Sequence, residues 1–154
     1  LIVLDCFRYD QAKFLLEKLF VDFKVVLNPA LSFIPTSTQY SRNSIFSGLF
    51  PYEIKDKFPL EWKEMMNNES RLNHFEHLFF KEYLKSNSFN DISTHYEKIS
   101  ELEQGNKLYN KIKEYRNIDC ISIVVNFIDI LGHSFSQSKI IQEIILFILD
   151  YLLH

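Results

Sequence analysis

Apolar residues in this chain alternate between short continuous runs and longer stretches with helical spacing. The runs at 1–5 and 120–128 are almost wholly apolar, as strands covered on both faces are. Between 9 and 22 the apolar residues recur three and four positions apart, which is the spacing of an amphipathic helix. The pattern therefore predicts strands that alternate with helices.

Further elements follow from the same pattern. Short strands are predicted over 25–33, where Asn28 and Pro29 interrupt the run, and over 92–99. Further helices are predicted over 40–49, 69–86, 103–116 and 136–153. Residues 52–68 are polar and contain a proline, so we expect an irregular surface excursion that could act as a lid. The order of elements predicts an α/β fold, a mostly parallel sheet with right-handed crossovers and helices on both faces.

Composition is that of a globular domain. The chain has 154 residues, of which 47% are hydrophobic and 24% charged. Its net charge of −3 excludes the broad basic surface that duplex nucleic acid requires. A phosphorylated substrate would therefore have to be bound by a metal and a local set of donors. Both ends of the sequence look cut, so we expect a single domain fragment over 1–154.

Signals for secretion and membrane insertion are weak. The start of the chain has no signal-peptide pattern, and the apolar segment at 140–153 is short and interrupted by polar residues. Cys6 and Cys120 lie beside predicted buried strands, where two buried thiols in a reducing cytosol are more typical than a disulfide. We expect a cytoplasmic protein without membrane contact.

Polar residues suited to metal or phosphorus chemistry end three of the apolar runs. Asp5 closes the first run, Thr38 lies between a predicted strand and a predicted helix, and Asp129 and His133 follow the last strand. Because the carboxyl ends of parallel strands meet at one edge of a sheet, we expect these residues to converge. A carboxylate, a hydroxyl at a helix start and an Asp-x-x-x-His pair form part of a metallophosphoesterase site.

Each of these residues also has a structural interpretation. Asp5 could cap the helix that follows it. Thr36 and Gln39 fit the spacing of a capping box, in which case Thr38 would attack phosphorus while Thr36 caps. The Asp-x-x-x-His pair could be an aspartate that caps a turn and a lone surface histidine.

Four further residues could support the site. Arg42 and Asn43 lie in the predicted first turn of a helix and could contact phosphate oxygens or support the groups that do. Arg8 could join a charge network that positions Asp5, or form a surface pair. Asn126 is the odd polar residue in an apolar run, and could reach the site or satisfy a neighbouring loop.

Three blocks of sequence resemble one known family. Residues 1–11, 34–49 and 124–134 resemble the PglZ domain of the alkaline phosphatase superfamily, and the block Pro-Thr-Ser-Thr-Gln-Tyr-Ser-Arg-Asn is the specific part. The resemblance covers about 1–143, the N-terminal part of such a domain. It looks closest to the effector domain of two-component response regulators of the bacterial type IX secretion system.

The resemblance implies a fold and a chemistry. An alkaline-phosphatase-like core would carry a zinc-dependent phosphoesterase site with one or two ions. Thr38 would be the nucleophile and share a metal with Asp5, while Asp129 and His133 would hold the other metal. Phosphodiesters, including cyclic or linear oligonucleotides, are the substrates that the resemblance implies, with signalling proteins as further partners.

The sequence departs from the family pattern in one respect. The Asp-His-Gly block that completes the metal site, and a later histidine ligand, are both missing from the printed sequence. This fragment is therefore expected to bind zinc weakly and to catalyse poorly. Two alternatives stay open: a non-catalytic metal-binding regulatory module that acts through protein contacts, and a scaffold whose site has decayed.

Overall fold

The computed structural model describes residues 1–20, 23–32, 34–126 and 129. They fall into two compact units. One consists of Leu1–Pro29 together with the described residues from Ser93 onward, and the other is Ala30–Ile92.

A small parallel sheet forms the centre of the first unit. Its strands are β1 (Ile2–Leu4), β2 (Thr94–Ile99) and β3 (Cys120–Val125), in the order β1-β3-β2. Both outer strands run parallel to β3. Val124 of β3 is paired with Val3 of β1 on one side and with Lys98 of β2 on the other. All three strands were predicted, β1 and β3 from apolar runs and β2 as a weak strand over 92–99, and the α/β class with a parallel sheet is confirmed.

Within the described residues, five α-helices lie between β1 and β2 along the chain, and one lies between β2 and β3. They are α1 (Tyr9–Leu19), α2 (Thr38–Ser47), α3 (Pro51–Lys57), α4 (Pro59–Asn67), α5 (Glu76–Ser86) and α6 (Leu102–Lys111), with short 3-10 helices at Glu69–Arg71 and Ile112–Asn117. The predictions over 9–22, 40–49 and 103–116 are confirmed. The predicted helix over 69–86 begins instead as 3-10 turns and becomes α-helical only at Glu76. The predicted helix over 136–153 lies outside the described residues.

The core of the first unit lies between the sheet and α6. Leu108 of α6 packs with Ile99, Ile123 and Val125, and all four side chains are buried. The start of α6 is fixed by Gln104, whose side-chain oxygen accepts hydrogen bonds from the backbone N–H groups just before the helix. Burial of branched aliphatic residues on both sides of the central strand explains its continuous apolar pattern.

Helices α2 to α5 make up the second unit. Phe46, Ile54, Met65 and Phe79 are fully buried there. The prediction of an irregular excursion over 52–68 was wrong, since this region is α3 and α4. Each of the two helices has a proline in its first turn, where the missing N–H costs no hydrogen bond, so the prolines begin helices there.

The predicted strand over 25–33 was also wrong. The described residues 23–32 form no strand, and Val26 is 75% exposed there. Apolar composition alone does not make a strand, because its backbone groups need a neighbouring strand to bond. Among the described residues, no helix is both long enough and apolar enough to cross a membrane.

Candidate functional site

Asp5 lies at the carboxyl edge of the sheet. Its backbone N–H donates to the Val125 carbonyl at 3.0 Å, one step beyond the last residue of β1. Its side chain is buried, and Oδ1 accepts a hydrogen bond from the Cys6 N–H at 3.1 Å. Cys6 has the left-handed φ of 55°, which turns the chain sharply behind the strand. The fold therefore holds a buried carboxylate where the sequence predicted one.

The capping alternative for Asp5 does not hold. Helix α1 begins at Tyr9, four residues later, and the residue before it is Arg8. The Arg8 N–H donates to the Gln11 side-chain oxygen at 2.9 Å, so Gln11 satisfies the start of this helix.

Arg8 forms a surface pair with Asp10. Its Nε and Nη2 atoms donate to the two carboxylate oxygens at 2.9 and 2.7 Å, and the side chains are 73% and 64% exposed. The hydrogen bond from Arg8 holds the pKa of Asp10 below its usual value. Of the two interpretations of Arg8, the structure shows the surface pair.

Asn126 reaches the same edge from the neighbouring strand. Its backbone N–H donates to the Ile99 carbonyl at 2.7 Å, so the ends of β2 and β3 are tied together there. Because Asp5 bonds to the residue just before Asn126, the structure brings these two residues to adjacent strand ends. Asp129 follows and is half-buried. His133 lies outside the described residues.

Thr38 is the first residue of α2 and is half-buried. The first N–H groups of a helix have no partner within it, and they bind anions such as phosphate. The prediction that Thr36 caps this helix was wrong. Ser37 occupies the N-cap, its hydroxyl contacts the Gln39 side chain, and Thr36 is exposed. The helix starts one residue later than the capping-box spacing implied.

Arg42 and Asn43 are buried inside the second unit. Arg42 Nη2 lies 2.6 Å from Glu76 Oε2, and both side chains are buried. Asn43 Nδ2 donates to the backbone carbonyls of Gln39 at 2.6 Å and Leu72 at 2.9 Å. The structure thus shows internal contacts for both residues, and a contact of either with phosphate stays a prediction.

Sequence reasoning missed Glu76. A signal was present, because Glu76 lies three and four positions before Phe79 and Phe80 and therefore on the apolar face of its helix. A carboxylate on a buried face needs a cation or several donors.

Two further expectations concern ligating side chains. Cys6 and Cys120 are separate thiols, as predicted, but Cys6 is exposed, because the left-handed turn after β1 takes it out of the sheet. Within the part of the chain that the structure describes, no three His, Cys, Asp or Glu side chains cluster as a metal site would require. The predicted metal set includes His133, which lies outside the described residues.

A comparison with known protein families identifies the family of this chain. A family model described as the BREX system PglZ alkaline phosphatase-like domain matches residues 1–146. The match takes in β1, α2, β3 and every candidate residue from Asp5 to His133. No curated protein sequence matches the chain. The chain belongs to the PglZ family of alkaline phosphatase-like domains.

Proposed function

We propose that this chain is the N-terminal part of a zinc-dependent phosphodiesterase-type domain, the cytoplasmic effector of a bacterial two-component response regulator. Its substrates would be small phosphodiesters or short oligonucleotides. The observation that carries the proposal is a buried aspartate, Asp5, at the carboxyl edge of a parallel sheet in a chain of this family.

The candidate ligands suit zinc. Carboxylate oxygens and an imidazole nitrogen are its usual protein ligands outside cysteine sites, and Asp5, Asp129 and His133 supply them. A buried carboxylate such as Asp5 is stabilised by an adjacent cation, so its burial fits a metal ligand. When bound, zinc lowers the pKa of a hydroxyl group and polarises a phosphoryl oxygen.

Thr38 carries the covalent step in this proposal. Its Oγ1 forms a bond to phosphorus while the bond from phosphorus to the leaving oxygen breaks, and the hydroxyl proton passes to the leaving group through solvent. Water then attacks the phosphorus of this threonyl phosphodiester, the bond from phosphorus to Oγ1 breaks, and a phosphate monoester is released as the threonine hydroxyl is regenerated. The backbone N–H groups at the start of α2 donate to the phosphoryl oxygens, whose charge increases in the transition state.

Replacement of Thr38 tests this assignment. In the full-length protein, Thr38→Ala should reduce hydrolysis of bis(p-nitrophenyl) phosphate to the uncatalysed rate, with an unchanged circular dichroism spectrum, because alanine has no oxygen that could attack phosphorus. Thr36→Ala is the matched control, because Thr36 is exposed and outside the helix, and it should keep wild-type turnover. Wild-type turnover in Thr38→Ala would refute the assignment.

Metal content separates the proposal from its alternative. Stoichiometric zinc in the full-length protein should be lost in Asp129→Ala and in His133→Ala, and the 154-residue chain alone should bind zinc weakly. Bound zinc without turnover on any phosphodiester would favour the non-catalytic regulatory module. A full-length wild type without zinc would refute both.

A further inference from the structure

The start of α2 is held by one short segment of the chain, residues 72–76. Asn73 Nδ2 donates to the Thr38 carbonyl at 3.4 Å. Asn43 Nδ2 donates to the carbonyl of Leu72 at 2.9 Å. The buried pair of Arg42 with the carboxylate of Glu76 completes the set. Three separate contacts therefore fix the first two turns of the helix.

Arg42 is placed so that its contact acts on Thr38. The two residues are four positions apart in α2, so they lie on the same face one turn apart. Glu76 is the first residue of α5, where the helix dipole also favours a negative charge. The carboxylate of Glu76, at the start of α5, thus holds the guanidinium of Arg42, which lies one turn after the start of α2.

A need for stability alone would not select this pair. Apolar side chains of similar volume often stabilise a protein as well as a buried ion pair does, whereas in some proteins a buried charge pair fixes one relative placement of the elements that carry it. Removal of either partner takes this contact away from the charge that stays buried. The pair is therefore suited to define where the start of α2 lies against α5.

We propose that Glu76 is a positioning residue of the phosphoesterase site. Through Arg42 it fixes the first turn of α2, and with it the direction of the Thr38 hydroxyl and of the helix-start N–H groups. The catalytic consequence rests on the proposed function. The positioning itself is a property of the second unit and can be measured without any substrate.

Glu76→Gln in the full-length protein is the first test, since it removes the charge and keeps the shape. The value of kcat for bis(p-nitrophenyl) phosphate should fall on the order of a hundredfold, because misplacement by about 1 Å has an effect of that size. KM and zinc content should stay unchanged. Glu82→Gln, on the same helix but in an exposed pair with Lys85, is the matched control and should behave as wild type.

Hydrogen exchange gives the readout that needs no activity. The amide N–H groups of Tyr40 and Ser41 both donate to the Ser37 carbonyl at 3.0 Å, so they report on the first turn of α2. In Glu76→Gln these two amides should exchange faster while the amides of β3 keep their protection. Exchange that rises equally everywhere, or does not rise at all, would overturn the positioning role.

A double replacement keeps the test decisive if Glu76→Gln does not fold. Arg42→Met with Glu76→Met removes both charges and fills the site with apolar atoms, so the fold should be retained. This variant should still show low kcat and fast exchange at Tyr40 and Ser41. A stable double variant with wild-type kcat would overturn the proposal. If the wild type itself hydrolyses no phosphodiester, the proposed function fails, and the exchange result alone decides the positioning role.

Discussion

The two described glycines should respond to alanine in opposite directions. Gly48 ends α2 with a φ of 66°, the left-handed conformation that suits glycine at a helix end. A Cβ there would lie 2.6 Å from two ring carbons of Tyr83. Gly105 lies inside α6, and the nearest atom to its added Cβ is Ile99 Cγ2 at 3.9 Å, an ordinary contact. Gly48→Ala should destabilise the protein, and Gly105→Ala should stabilise it.

The size of the Gly48 effect has two parts. A left-handed backbone costs an alanine roughly 1–2 kcal/mol relative to glycine. Carbon atoms in contact normally lie about 3.5–4.0 Å apart, so the Tyr83 ring must move by about 1 Å. Overpacking of this kind costs about 1–3 kcal/mol. Because Tyr83 is 40% exposed, its ring has room to move, and we expect a total near the lower end, about 2–3 kcal/mol.

A double-mutant cycle separates the two parts. Urea unfolding would be measured for Gly48→Ala, Tyr83→Ala and the double variant. With the ring absent, Gly48→Ala should retain only the backbone cost, about 1–2 kcal/mol. Gly105→Ala provides the same substitution in a helix interior, where alanine is favoured by about 0.5–1 kcal/mol. Equal effects of alanine at the two glycines would refute the reasoning, as would a Gly48→Ala variant as stable as wild type.

Two further predictions concern the first unit. Val124 is fully buried in β3, and Val124→Ala should reduce the free energy of unfolding by about 2–3 kcal/mol. Val26 is 75% exposed, and Val26→Ala should leave the free energy of unfolding almost unchanged. Urea unfolding of both variants checks this prediction. Hydrogen bonds from the Ser93 hydroxyl and N–H hold the pKa of Asp119 below its ordinary value of 3.8. Because the pKa of Asp119 is lower in the folded state, its contribution to the free energy of unfolding is present above pH 3.8 and is lost as the pH falls through the folded pKa. The difference in stability between wild type and Asp119→Asn, measured by urea unfolding, should therefore vanish in acid. A difference that is constant with pH would contradict this prediction.

The sheet was predictable because a strand that is buried on both faces has a nearly continuous run of apolar residues in its sequence. Strands β1 and β3 read as continuous apolar runs, and the helical spacing of α1 was equally plain. The helices α3 and α4 were missed because their prolines were interpreted as breaks. A proline in a first turn and a proline that ends a helix differ only in which residues follow. The apolar residues Ile54 and Met65, which the structure buries, were therefore the signal in the sequence.

The sequence allowed the positions of some candidate residues to be predicted, whereas their roles in a site stay predictions. Asp5 was identified as a polar residue that closes an apolar run and Asn126 as the odd polar residue within one, and the parallel sheet brings their strand ends together. The cap of α2 was misassigned by one residue, because neighbouring hydroxyl residues, Thr36, Ser37 and Thr38, are all able to cap a helix. The local sequence does not determine which of the three caps the helix. The cap is the residue at which the backbone changes from extended to helical conformation.

Arg42 shows why a specific motif is not the same as a set of catalytic groups. In sequence, a basic residue just after a candidate nucleophile suggests a phosphate contact. Its counter-ion is Glu76, 34 positions away, and no local pattern reveals that pairing. The block that carries the family resemblance therefore has two physical parts. Thr38 is half-buried at a helix start, where chemistry is feasible, whereas Arg42 and Asn43 are buried and bind the interior of the unit. Substitution of Arg42 should consequently disturb the placement of the helix start before it removes any contact with substrate.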